Sequence, residues 1–331
     1  MAYDDWAGLE RDSLTPRGRR MAVLVGSDMS YDKASDRLNR LCGIRISDQT
    51  IRRACDGAGE RAKGYLESPA AGEALARASG QVELSADGAK VNTTEGWREI
   101  RGVQASKRQP GSPASVRHWK HRELPRPTAR RAWASIADAQ RVGEQWGQWA
   151  DQQGWSEGEG VSVLADGAAW IWKQAHRQLP EHEGVVDIWH VMEHLSDAGK
   201  ALHGEGDAAT RWAEHQRAMI FRHGANRYLR KHLAPQVRAH RAADPQGEPA
   251  RALRALLLYL WKHRGRMSYR DRLRRGLPIG SGQIEGLCKN TLNQRLRKNT
   301  PRWRPENADR MAALCCLHAS QQWDPFWQQA A

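Results

Sequence analysis

The sequence predicts a mixed α/β chain of the α+β kind, and three observations carry that expectation. Strand-like runs gather in the first part of the chain, helical periodicity dominates beyond about residue 187, and a basic pair of short helices precedes both. At 331 residues with 40% hydrophobic content and 15 Trp, the chain has ample material for a core and is long enough for two domains or one with insertions. The expected organisation is a mobile segment 1–22, a helix-turn-helix region 23–78 and the first part of a sheet-bearing core 79–195. A helical insertion 196–275 and a C-terminal helical part 276–331 complete it.

Taken in order, Tyr31, Ala34, Leu38 and Leu41 recur at helical spacing, Gly43 stops that helix, and Ser47 or Asp48 caps the next. Helix, short turn with Gly, helix is the outline of a helix-turn-helix, with Gln49, Thr50, Arg52 and Arg53 as its groove-facing residues; ordinary helical pairs share the outline. "QVELSADGAKV" and "WREIRGVQA" read as strands joined by a turn. Residues 106–130 read as a loop, followed by a helical stretch with Trp133, Trp146 and Trp149. "VSVLADGAAWIW" reads as another strand, and "EGVVDIWHVMEHLSDAGKAL" as a strand running into a helix. "RRGLPIGSG" breaks a long helical section before a last helical block.

Charge narrows the function classes. With 52 Lys and Arg against 38 Asp and Glu the net charge is +14, unevenly spread. Residues 251–310 hold 16 basic and 4 acidic side chains, and residues 101–131 hold nine and one. One such cluster is commonly a solvated helix face; two favour a polyanion, through release of counterions from phosphates. The five Cys form no C-x-x-C pair, and "MAYDDWAGLE" has no signal-peptide pattern, which points to a reducing cytoplasm. The apolar run "ALLLYLW" is too short to span a bilayer.

The tetrapeptide "ADGA" occurs at 86–89 and at 165–168, each time after an apolar, β-prone run. Asp-Gly is a strong hairpin-turn signal. Alternatively, two strand ends bring Asp87 and Asp166 together, where they repel unless a hard cation such as Mg²⁺ neutralises them. Glu285, an acid in "PIGSGQIEGLCK" with dense arginine on either side, is the candidate third carboxylate, and three acids make room for two ions.

With these residues in view, the sequence resembles bacterial insertion-sequence transposases of the DDE type, the ISKra family in particular, and more loosely Mutator-like transposases. The resemblance rests on "DGAKVNTTEGWREIRGV", "VLADGAAWIW", "VVDIWHVMEHL", "GLPIGSGQIEGLCKNTLNQRLRKNTPRW" and the terminal "WDPFW". It implies an RNase H-like core with the first two acids on adjacent strands, and Asp87, Asp166 and Glu285 as a catalytic, metal-holding triad. The triad members lie 79 and 119 residues apart, the longer gap fitting a helical insertion. It further implies two Mg²⁺ ions, with Mn²⁺ able to substitute, and an auxiliary D-x-x-H pair, Asp187 and His190. Expected partners are double-stranded DNA, as element ends and as target, and further copies of the chain in a synaptic assembly, with no membrane. The expected location is the bacterial cytoplasm, at the nucleoid. "LCCLHAS" departs from the family, which has an Arg-bearing helix there.

Lys289, Arg295, Arg297, Lys298 and Arg302 follow Glu285 as candidate backbone contacts, and Trp303 either stacks on a base or packs beneath the helix. Two rival readings stand beside the transposase. One is a DNA-binding regulator descended from such an enzyme without its chemistry. The other is a zinc peptidase, because "HVMEH" at 190–194 matches H-x-x-E-H with His190 and His194 as ligands and Glu193 as base.

Overall fold

A computed structural model describes residues 14–155, 158, 160–298 and 301–329. The expected mobile segment 1–22 divides: residues 1–13 lie outside the described residues, and from Pro16 the chain is helical. Helix α1 (Pro16–Asp28) starts with Pro16 in its first turn and the Thr15 side chain accepting the Gly18 N–H. Helix α2 (Tyr31–Cys42) ends on Gly43 at φ 67°, whose N–H returns to Asn39 and Leu38 carbonyls. Helix α3 (Asp48–Glu67) begins at Ser47, whose hydroxyl accepts the Thr50 N–H, and a short helix α4 (Glu73–Arg77) follows it. Ala34, Leu38, Ile51 and Cys55 are buried, the last two against Gly26 of α1, while Leu41, expected on the same stripe as Ala34 and Leu38, is exposed.

The core is a five-stranded mixed sheet in the order β3-β2-β1-β4-β5. β1 (Gln81–Thr93) and β2 (Gly96–Arg108) form a long antiparallel hairpin closed by Thr94 and Glu95, and β3 (Ala129–Ser135) adds antiparallel to β2. β4 (Val161–Ala165) pairs parallel to β1, and β5 (Glu183–Val186) parallel to β4. The parallel pairs require crossovers, supplied by α5 (Ala139–Gln153) between β3 and β4 and α6 (Ala169–Gln178) between β4 and β5.

Three expectations are corrected. Trp133 belongs to β3, and the Trp-rich helix starts only at Ala139. The strand expected over "VSVLADGAAWIW" stops at Ala165, and its second half is α6. Neither Asp-Gly forms a hairpin turn, and only Asp166 sits at a strand end as the alternative required: Asp87–Gly88 is internal to β1, and Asp166–Gly167 links a strand to a helix.

After β5 the chain is helical: α7 (Ile188–His203), α8 (Asp207–His223) and α9 (Ala225–Tyr228), then a π-helical turn Leu229–Leu233 leading into α10 (Ala234–Ala243). α11 (Glu248–His263) returns against α7, and α12 (Tyr269–Arg274) runs beside β5. α12 is fixed by Arg272, fully buried, which reaches the Glu183 carboxylate at 2.7 Å and the Pro278 carbonyl at 2.8 Å. The last helices are α13 (Gly282–Glu285), α14 (Asn293–Leu296), α15 (Pro305–Ala319) and α16 (Trp323–Gln329), with a π-helical turn Gly286–Leu292 between the first two.

α15 joins the amino-terminal helices to the sheet. Asp309 on it accepts from Ile136 N at 2.7 Å, and the Ser320 hydroxyl just past its end accepts from Ala132 N at 2.7 Å. On its other side Gly59 of α3 crosses so closely that a Cβ would stand 2.6 Å from the Arg310 carbonyl oxygen. α3 is therefore built into the core and is not a tethered module. Among the described residues no helix is long and apolar enough to cross a membrane.

Candidate active site

Three acids from three distant parts of the chain converge on the centre of the sheet. Asp87 lies on β1 opposite Gly102 of β2. Gly102 has no side chain, so the segment carrying Glu285 lies directly over it: Leu287, Cys288 and Ile284 atoms stand 3.3, 3.5 and 3.6 Å from where a Cβ would be. Asp166 follows the last residue of β4, the strand adjacent to β1. Its Oδ1 accepts the Ala168 N–H at 2.8 Å, and its carbonyl accepts the Trp172 indole N–H at 2.8 Å. Glu285 ends α13 with its carboxylate half-exposed and ion-paired to Lys289.

The electrostatics follow from this convergence. Asp87 is held above the usual carboxylate range, first by burial, and further by the charges of Asp166 and Glu285. The Gly88 N–H, 2.7 Å from its Oδ1, and His190 oppose that shift. Burial also raises the Cys288 thiol, which bonds to the Asp87 carboxylate. Lys289 is raised, chiefly by Glu285 and then by Glu193 and Asp87.

Asp187 and His190, paired in sequence, do different things. Asp187 is buried and caps α7: its Oδ1 accepts the Trp189 N–H at 2.6 Å, while its Oδ2 takes both the Ser281 N–H at 2.6 Å and the Ser281 hydroxyl at 2.5 Å. Its own N–H donates to the Ala165 carbonyl at 2.8 Å. One residue thus ties the end of β4 to the loop that launches Glu285. His190 is half-exposed, bonded to Glu193 at 3.0 Å and close enough to Asp87 to affect its charge. His194 instead lays its ring on Tyr259, centroids 3.7 Å apart.

Tyr259 and His263 are site neighbours that sequence reasoning missed. A Cβ on Gly167 would meet the Tyr259 ring at 2.5 Å and His263 Nε2 at 3.2 Å, so α11 seals the turn bearing Asp166. Burial, then Arg266, Lys262 and His194, push His263 down to about 4, so it is neutral at pH 7. Only tertiary structure brings these residues here; their apolar run "ALLLYLWKH" carries no motif.

The candidate DNA residues divide. Gln49, Arg52 and Arg53 are exposed on α3, Thr50 is half-buried, and Lys289, Arg297, Lys298 and Arg302 are exposed. Arg295 is not available to a nucleic acid, contrary to expectation, and of the two alternatives for Trp303 the structure has packing, not exposure to a base. Arg295 is buried, its Nε donating to the Gly26 carbonyl at 2.9 Å and its guanidinium lying 4.9 Å from both the Tyr31 and Trp303 rings. Trp303 packs inward, its indole N–H donating to the Leu296 carbonyl and its backbone bridging to Thr93. Nor does one regular helix run on from Glu285, since a π-helical turn intervenes.

Among the described residues, the side chains as they stand form no group of three or more His, Cys, Asp or Glu able to hold a metal ion. No protein-family model matches the chain, and no curated protein matches it.

Proposed function

We propose that this chain is a DDE-type DNA transposase that binds the ends of its own element, hydrolyses one strand at each end and joins the freed 3′-OH to target DNA. The observation that carries the reading is the approach of Asp87, Asp166 and Glu285, from the adjacent strands β1 and β4 and a short helix laid over β1 and β2, with Asp87 sensing both other charges. An RNase H-like core, as the resemblance implies, would carry its first two acids on adjacent strands in this way. The basic side chains around the acids support a phosphate-bearing substrate.

The chemistry of the donors suits a hard divalent cation: Asp87 feels the charges of Asp166 and Glu285, a repulsion that a cation would relieve, and side-chain rotation would have to bring the three carboxylates into one ligand set. Asp87, Asp166 and Glu285 would hold Mg²⁺, or Mn²⁺ in its place, and two such ions supply charge neutralisation and an activated oxygen nucleophile for phosphodiester displacement. The chain's own residues orient the parts. Asp187 fixes Ser281 and hence the start of α13, so Glu285 is delivered at a set height above β1. Lys289, exposed beside Glu285, is placed to meet a phosphate oxygen once that pair opens. No Ser or Tyr nucleophile is assigned, because direct transesterification needs none.

The test is cleavage and joining of DNA carrying the gene's own flanking ends, in Mg²⁺ or Mn²⁺, by the unsubstituted protein and by Asp87→Asn, Asp166→Asn and Glu285→Gln. Loss of both reactions in all three variants, with end-binding kept, is the expected result. End-binding by all four proteins with cleavage by none favours the regulator reading. Cleavage surviving the three substitutions would show that the acids are not the catalytic centre.

A further inference from the structure

A second cationic site lies away from the acids, where the end of α8 meets α12. From His215 through Ala243 the sequence has seven Lys and Arg, four His and no Asp or Glu. Arg222, Arg227, Arg230 and Lys231 of this run are exposed, as are Arg270 and Arg274 of α12. Some exposed cations have carboxylate partners, as Arg40 has Asp36 and Arg77 has Glu73, and others, such as Arg52 and Arg53, have none among the described residues; what sets this run apart is that no acid lies within it. Among the described residues none of these six is in an ion pair; the one acid beside them, Asp271, is held by Arg275 at 2.8 Å.

Three of the six surround a shallow hollow of about 310 Å³, walled by Arg222, His223, Arg270, Arg274 and the one acid, Asp271, over a floor of Ile220 and Phe221. Arg270 Nη1 donates to the Arg222 carbonyl at 3.4 Å, which joins the two walls. The α12 wall is rigid, because buried Arg272 and the Tyr269 hydroxyl, 2.8 Å from the Val186 carbonyl, fasten it to β5. On the α8 side His223 stacks on His232 of the π-helical turn, ring centroids 5.2 Å apart. Uncompensated guanidiniums gathered this closely repel one another, and an anion between them removes the repulsion. A flanking row of further cations, Arg227, Arg230 and Lys231, extends the positive surface past a single small ion.

We propose that this hollow seats a backbone phosphate of duplex DNA and that the helical insertion is a second DNA-holding surface, distinct from the carboxylate centre. The choice of DNA as the polyanion rests on the function proposed above; the anion site itself does not. Each phosphate neutralised contributes about 0.9 to the slope of log K against log salt concentration.

The experiment is duplex binding by fluorescence anisotropy across a salt series, in EDTA so that strand cleavage plays no part. Three proteins are compared: unsubstituted, Arg222→Ser/Arg270→Ser/Arg274→Ser, and a charge-matched Lys63→Ser/Arg77→Ser/Lys200→Ser control whose cations already have carboxylate partners. Circular dichroism melts establish that all three are folded. The slope should fall by about 2 to 3 in the first variant, one contact for each arginine, and stay put in the control. An unchanged slope in the first variant, or an equal fall in both, overturns the proposal. So does a variant that loses stabilisation by inorganic phosphate while its DNA slope stays the same, since that marks a small-anion site. Failure to bind DNA at all by the unsubstituted protein would instead sink the DNA reading of the whole chain.

Discussion

The two copies of "ADGA" have the same sequence and deliver their carboxylates by different means. In the first, Asp87 and Gly88 stay in the β1–β2 ladder, opposite Gly102 and Arg101, and hydrogen-bonded strands set the position of the acid. In the second, the strand ends at Ala165, and Asp166 turns back to bond Ala168 N before α6 begins. The glycines differ too. A Cβ on Gly88 would meet Glu99 Oε1 at 2.5 Å, the end of a flexible, exposed side chain, whereas one on Gly167 would meet the Tyr259 ring. A ladder holds the first acid and a helix from ninety residues away holds the second.

Several substitutions would break or sharpen that contrast. The largest stability effect falls on the second copy through Asp187, which joins its strand to the Glu285 loop. Asp187→Ala leaves the Ser281 N–H and hydroxyl and the Trp189 N–H without their acceptor, and should cost about 3 kcal/mol in denaturant unfolding. Gly167→Ala follows, at about 1–3 kcal/mol of overpacking against the half-buried Tyr259 ring, with slower strand cleavage. Gly88→Ala should lie within about 0.5 kcal/mol of the unsubstituted protein, because Glu99 can swing aside and Ala suits a strand better. Equal losses at the two glycines would erase the distinction.

Asp87→Asn should stabilise the fold while abolishing cleavage, with a pH dependence of fixed sign. The folded carboxyl is raised, so ionisation opposes folding. The gain from Asn is therefore absent at low pH, where both states of Asp are protonated. It grows as pH rises through the unfolded value of about 3.9 and is complete above the raised folded value. Thermal melts of both proteins between pH 3 and 8 measure it; a gain that shrinks with rising pH would refute the burial and repulsion assigned to Asp87.

Much of this was legible in the sequence. Gly43 and Ser47 marked the α2–α3 turn because a helix end needs a left-handed residue and the next start needs a side-chain acceptor. The long strands β1 and β2 announced themselves by residue type and alternation. β3 did not, because "ARRAWAS" is short and its Arg131 is buried, donating to the Leu66 and Ser68 carbonyls, which removes the polar–apolar signal. Arg295 was misread for a related reason: a cation in a basic run looks solvent-facing until Gly26, over 250 residues earlier, supplies its partner. The three acids could be picked out as a set, but Tyr259, His263 and Cys288 could not, since nothing local distinguishes them from core residues.

The most direct test of one shared carboxylate centre is the titration of Asp87 itself, followed by the ¹³Cγ shift of labelled aspartate in the unsubstituted protein and in Asp166→Asn. The charge of Asp166 helps to raise Asp87. Its removal should move the Asp87 midpoint down toward the ordinary carboxylate range, and added Mg²⁺ should lower it in the unsubstituted protein. A midpoint unmoved by both would mean that the two acids do not face one another, and the proposed centre would fall with them.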